Sequence, residues 1–211
     1  MSAESTENQS DRPVLEQMVF DGRHMVLHDA DWEDYDRFTN RFEQLGYGRV
    51  SYCDDILEIV RSSDSQSKIR RILGRLIEDY SIRLSMDFER RSLSKIGFQH
   101  AKACKVADES FWFGKNPDMD ERPDLVLEVV PSKAIYYDNF YARFRVPELW
   151  IWEYNQLSVY LLNDDETDYE SSEESEIFPQ LNITLLEYCA QLPSVTRAIR
   201  EFRQGLKTTS I

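Results

Sequence analysis

The sequence predicts a mixed α/β fold, with one helix ahead of a central run of strands and further helices after it. Three observations carry that reading. Ser67 to Leu84 sets Ile69, Ile72, Leu73, Leu76, Ile77 and Tyr80 on one stripe with arginines opposite, the period of an amphipathic helix. Two pairs of short apolar segments flank turn residues: Arg49 to Cys53 and Ile56 to Val60 around Asp54-Asp55, and Glu148 to Glu153 and Leu157 to Leu162 around Tyr154-Asn155-Gln156. Leu125 to Val130 is a brief apolar run between Pro123 and Pro131, the mark of a strand rather than a helix.

The remaining elements follow in order. Residues 1–16 are polar and acidic and predict a disordered tail, leaving 17–211 as one domain. Trp32 to Leu45 spaces Trp32, Tyr35, Phe38 and Phe42 at helical intervals, with Asp31 as the N-cap. Phe88 to Leu93, Ile96 to His100 and Ser110 to Phe113 read as short strands, and Ala134 to Phe144 as a helix rich in aromatics. Residues 163–176 carry eight acids and no base, and predict a loop. Leu185 to Leu192 and Val195 to Leu206 read as C-terminal helices broken at Pro193, with Ser194 as a cap.

The strand at Arg122-Pro123-Asp124-Leu125-Val126-Leu127-Glu128-Val129-Val130 is chemically the most pointed segment. Side chains alternate along a strand, so Asp124, Val126, Glu128 and Val130 share a face. A buried carboxylate is costly unless it is paired or coordinates a metal. Two acids on one face among aliphatics therefore suit a divalent-cation site. The alternative is an edge strand whose acids face water.

Composition bounds the partners. No apolar run is long enough to span a membrane, and the N-terminus lacks the basic and apolar regions of a secretory signal. Cys53, Cys104 and Cys189 are odd in number and widely spaced, which is neither a disulfide framework nor a zinc pattern. The expectation is a reducing, cytoplasmic setting. Net charge is −14, which by itself disfavours nucleic acid, but the charge is uneven. Lys68 to Lys95 holds eight bases against four acids, so a basic patch is compatible with the acidic total; the alternative is a solvated helix face. The histidines, His24, His28 and His100, are scattered and read as structural or surface residues.

Five segments taken in order resemble the Uma-type restriction endonuclease family, which is abundant in cyanobacteria and belongs to the PD-(D/E)-x-K nuclease superfamily. They are Leu57-Glu58-Ile59-Val60, Ile72-Leu73-Gly74-Arg75-Leu76-Ile77-Glu78, Ala107-Asp108-Glu109-Ser110-Phe111-Trp112, the strand just described, and Arg145-Val146-Pro147-Glu148-Leu149-Trp150-Ile151-Trp152. The resemblance runs from about Met25 to Leu206. It implies a restriction-endonuclease-like fold, a central mixed sheet flanked by helices, with a magnesium or manganese site built from acids on neighbouring strands. By position, it implies Asp108 and Glu128 as metal carboxylates, with Glu58 and Asp124 supporting the metal or its water. It implies DNA as substrate and a homodimer, since many nucleases of this fold work in pairs.

The chain departs from the family at two positions. The family lysine, four residues before the tyrosine matched by Tyr141, is Tyr137 here, whose phenol titrates near 10 in its ordinary state. Lys133 is the nearby cation that would approach the phosphate instead. The family histidine at the start of the long helix is Gln66, which hydrogen-bonds but carries no proton in acid–base work. Two readings follow. One is a metal-dependent DNA endonuclease using Asp108, Asp124, Glu128 and Lys133, impaired by Tyr137. The other is a catalytically degenerate nuclease-fold protein whose acidic surface attracts a basic protein partner.

Overall fold

The computed structural model of the protein describes residues 19–20, 24–45, 48–118, 122–130 and 137–208. The chain forms two compact units, Met1–Arg61 and Ser62–Ile211. The sequence reading sets its boundary at residue 17; the contacts set one at Arg61.

In the first unit, β1 (Val19–Phe20), β2 (His24–Leu27), β3 (Arg49–Cys53) and β4 (Ile56–Val60) are antiparallel, in the order β1-β2-β4-β3. The hairpin from β3 to β4 turns through Asp54 and Asp55 at φ 46° and 65°, the left-handed pair that a two-residue turn needs and that aspartate tolerates. The helix α1 (Trp32–Leu45) starts as expected, with Asp31 Oδ1 accepting from the Asp34 N–H at 2.8 Å. It packs on β3 through Trp32 and Tyr35 against Tyr52.

The second unit opens with α2 (Asp64–Arg83). Ser63 and Gln66 form a reciprocal capping box, so the Gln66 side chain is spent on the helix start. The expected apolar stripe holds: Ile72, Leu73, Leu76 and Ile77 are fully buried. The long strands β5 (Phe88–Phe98) and β6 (Ala103–Phe113) pair antiparallel along their length, where the sequence suggested shorter pieces. β7 (Leu125–Val129) pairs antiparallel with β6 and parallel with β8 (Glu148–Glu153). The parallel pair needs a crossover, which carries α3 (Tyr137–Arg143). β9 (Gln156–Leu162) follows across a hairpin at Tyr154-Asn155, and β10 (Tyr169–Ser172) pairs with β9. This is a mixed sheet flanked by helices, as the sequence predicts.

The acidic run is not simply a loop, because it contains β10. Its far end is tied down where the Ile177 N–H donates to Glu148 at 3.2 Å. Asn182 and Ser194 then cap α4 (Ile183–Ala190) and α5 (Val195–Thr208), which pack with α2. The core on that face joins α2, α4 and α5 to Phe111, Leu125, Leu127, Trp150 and Phe178. Trp150 and Trp152 are core residues. β7 is flanked on both sides and all five of its residues are buried, so the edge-strand alternative fails. Among the described residues, no helix is long and apolar enough to cross a membrane. None of the three cysteines forms a disulfide.

Candidate functional site

β6 and β7 pair at only three positions, Phe111 with Leu125, Ser110 with Val126, and Glu109 with Leu127. Beyond Glu109 the strands part. Asp108 and Glu128 stand at the next register step, and alternation gives them the same parity. Where the ladder ends, the Asp108 side chain takes over from backbone: its Oδ2 accepts from the Val129 N–H at 2.8 Å. The Asp108 carboxylate is thereby fixed beside the peptide that follows Glu128. Glu128 is fully buried and accepts from the Tyr141 hydroxyl of α3. Asp108 is 2% exposed.

The opposite face of this fork is an ion-pair chain. Glu109 shares the face of Leu127 and of α2. Arg90 Nε lies 3.1 Å from its Oε2, and Ser92 Oγ donates to the same oxygen at 2.6 Å. Arg90 also donates to Glu78 at 2.9 Å. Gly74 makes room for that guanidinium: a Cβ there would stand 2.9 Å from Arg90 Nη1. Arg70 of α2 reaches both acids, at 3.5 Å from Asp108 and 3.7 Å from Glu109. Burial pushes the Glu109 carboxyl above its ordinary range, a shift that Ser92, Arg90 and Arg70 oppose and Asp108 reinforces.

Leu93 marks the same level from the other side. In the β5–β6 register, Ser92 pairs with Glu109 and Ser94 with Ala107, leaving Leu93 across from Asp108. Leu93 adopts φ 55°, a left-handed conformation that costs an ordinary residue about 1–2 kcal/mol. Backbone outliers of this kind cluster at active sites and ligand clamps.

Asp124 sits at the opposite end of β7, where Oδ2 accepts from the Phe113 N–H at 2.8 Å and Oδ1 pairs with Lys115 at 2.6 Å. It ties the entry of β7 to the end of β6, so it is held by partners separate from those of Asp108 and Glu128. Glu58 belongs to the first unit, where His24 Nε2 lies 2.7 Å from its Oε1. Lys133 lies outside the described residues. Sequence reasoning missed Glu109, Arg70 and Arg90. The signal was present, since Glu109 adjoins Asp108 and both arginines belong to the basic stretch, but neither a basic patch nor a solvated face, the two readings of that stretch, pairs its arginines with a buried acid.

The donor set suits a hard cation. Magnesium usually takes one or two carboxylates, completing its shell with water and substrate phosphate. Asp108 and Glu128 meet that number. Among the described residues, no group of three or more His, Cys, Asp and Glu side chains gathers into a protein-only metal cage.

A second feature lies on the Glu128 face of the same sheet. Arg91 pairs with Ser110, Ser110 with Val126, and Glu128 is two residues further along β7. A groove of about 910 Å³ opens there, lined by Arg91, Lys95, Arg122, Arg143 and Arg145 among uncharged residues. Arg143 and Arg145 follow directly on the turn of α3 that presents Tyr141 to Glu128.

No family model matches the chain. No curated protein matches it in sequence. Among solved structures it is similar to one described as a "putative nuclease belonging to DUF820" from Anabaena variabilis ATCC 29413, at 11% identity and a TM-score of 0.41, over 72% of this chain and 90% of that one.

Proposed function

We propose that the protein is a nucleic-acid phosphodiesterase of the divalent-metal type, with Asp108 and Glu128 as its carboxylate pair. The observation that carries this is the hydrogen bond from the Val129 N–H to Asp108, which sets acids from two strands at one register step. The retained order of acidic motifs supports it. A bound magnesium or manganese would polarise the scissile phosphate and lower the pKa of an attacking water. Tyr141 orients Glu128 through its hydroxyl, and the Val129 N–H and Arg70 orient Asp108. Glu109 and Arg90 brace Arg70 from the other face without facing the pair.

The test is cleavage of supercoiled plasmid and of labelled oligonucleotides with magnesium or manganese. Wild type should cleave only with metal, and Glu128→Ala should lose at least a hundredfold. Manganese calorimetry should show weak binding that Asp108→Asn removes. Metal-independent cleavage, or cleavage that survives Glu128→Ala, overturns the reading.

One observation favours a second reading. Both carboxylates are buried and already engaged by protein donors, Tyr141 on one and Arg70 with a backbone N–H on the other. A nuclease fold that no longer hydrolyses and serves only to bind would look like this. It predicts no manganese heat and no cleavage.

A further inference from the structure

We infer that the cationic groove over β5 and β6 is the track for a single-stranded polynucleotide, an inference that rests on the nucleic-acid reading above and names its substrate class. In a chain of net charge −14, Arg91, Lys95, Arg122, Arg143 and Arg145 line one groove, and among the described residues no acid lines it. That concentration runs against the composition, which makes it informative about a polyanion. Arg91 pairs with Asp118, Arg145 pairs with Glu166 at 3.1 Å, and Arg143 donates to the Ala101 carbonyl at 3.2 Å. Asp118 and Glu166 are exposed, and exposed ion pairs contribute only about 0–1 kcal/mol, so a phosphate replaces these two at little cost.

Rings favour a single strand over a duplex. The rim supplies a stacking surface. Phe98 is 38% exposed, stacks on His100 at 4.0 Å between centroids, and is backed edge-on by Phe144. The floor holds Trp112 beneath the Arg91 guanidinium at 5.7 Å. A positive groove tracking the backbone beside rings that stack on bases is the chemistry of single-strand binding. The groove shares a sheet face with Glu128, so a strand lying in it would run toward the carboxylate pair.

The experiment uses the full chain in EDTA, so binding is read without hydrolysis. Fluorescence anisotropy compares a single-stranded oligonucleotide with its duplex, for wild type, Lys95→Glu/Arg145→Glu, the milder Lys95→Gln/Arg145→Gln, and Arg200→Glu/Lys207→Glu on α5. Wild type should prefer the single strand at least tenfold. The groove reversal should weaken binding at least tenfold, and the Gln pair should lower the slope of log affinity against log salt by about 1.4, at ~0.7 per lost phosphate contact. The α5 pair should bind as wild type. No binding, equal or tighter duplex binding, or equal loss from the α5 pair overturns the inference. Absence of metal-dependent cleavage with groove binding intact would overturn only the hydrolytic reading.

Discussion

Arg90 Nε lies 3.1 Å from the Glu109 carboxylate, in an ion pair whose acid is 1% exposed. Such a pair is weak evidence for stability, because desolvation of both charges offsets their attraction. Here the acid shows the imbalance: burial raises the Glu109 pKa despite two arginines and a serine. The folded chain then holds this proton at a pH where the unfolded chain has released it. Stability from this group therefore falls as pH rises through its folded pKa, and is recovered as pH drops toward the ordinary value of 4.5. Thermal unfolding of wild type and Glu109→Gln across this window should show the difference moving in favour of wild type as pH falls. A difference that is flat, or that moves the other way, would mean the arginines outweigh burial.

Leu93 should be replaceable at a gain. Its side chain is 46% exposed and its φ is 55°, so glycine removes backbone strain while giving up little buried surface. Leu93→Gly should raise the unfolding free energy by about 1 kcal/mol in urea titration. Leu93→Ala, which keeps the strained Cβ, should show no gain. If both variants lose stability equally, the left-handed turn is not what limits this strand.

Glu148 anchors the acidic excursion to the sheet. It is 1% exposed and accepts from the Trp150 indole at 2.6 Å and the Ile177 N–H at 3.2 Å. Burial raises its pKa even so. Alanine there leaves those donors without an acceptor, at a cost of roughly 2–5 kcal/mol. Glutamine keeps one acceptor and should cost less than half as much. Chemical unfolding followed by tryptophan fluorescence reads both, and equal costs would show that charge rather than acceptor geometry matters.

Legibility tracked how local each signal was. The helices at Trp32 and Ser67 and the hairpin at Asp54-Asp55 were readable because periodicity and turn chemistry act over a few residues. β10 was not, because eight acids read as a solvated loop while its pairing with β9 is set by tertiary contact. The partition of the rings was not legible either: Phe111 and Phe113 join Phe178 on one face, while Phe140, Tyr141 and Phe144 cluster around α3. At the site, Asp108 and Glu128 were chosen from motif order. Nothing local distinguished Asp124, which has the same chemistry and a different partner, Lys115. Arg70 and Arg90 were hidden because a basic side chain on an amphipathic helix or strand looks alike whether it meets water or a buried acid.

Position 137 offers the sharpest test of the catalytic reading. α3 is helical from Tyr137, so a residue there precedes Tyr141 by one turn, and Tyr141 hydrogen-bonds Glu128. A lysine introduced at 137 would carry a full charge at neutral pH, which a phenol titrating near 10 does not. A preorganised donor aimed at developing transition-state charge costs ~10²–10³ in rate when it is removed from other active sites. Tyr137→Lys should therefore raise manganese-dependent cleavage at least tenfold over wild type, while Tyr137→Gln should not, and adding Glu128→Ala should abolish the gain. An unchanged rate in Tyr137→Lys, with the protein folded and manganese bound, would mean that the charge is already supplied from elsewhere. An unchanged rate with no manganese heat would place the loss of function in the buried carboxylates themselves, where Arg70 and Tyr141 hold them.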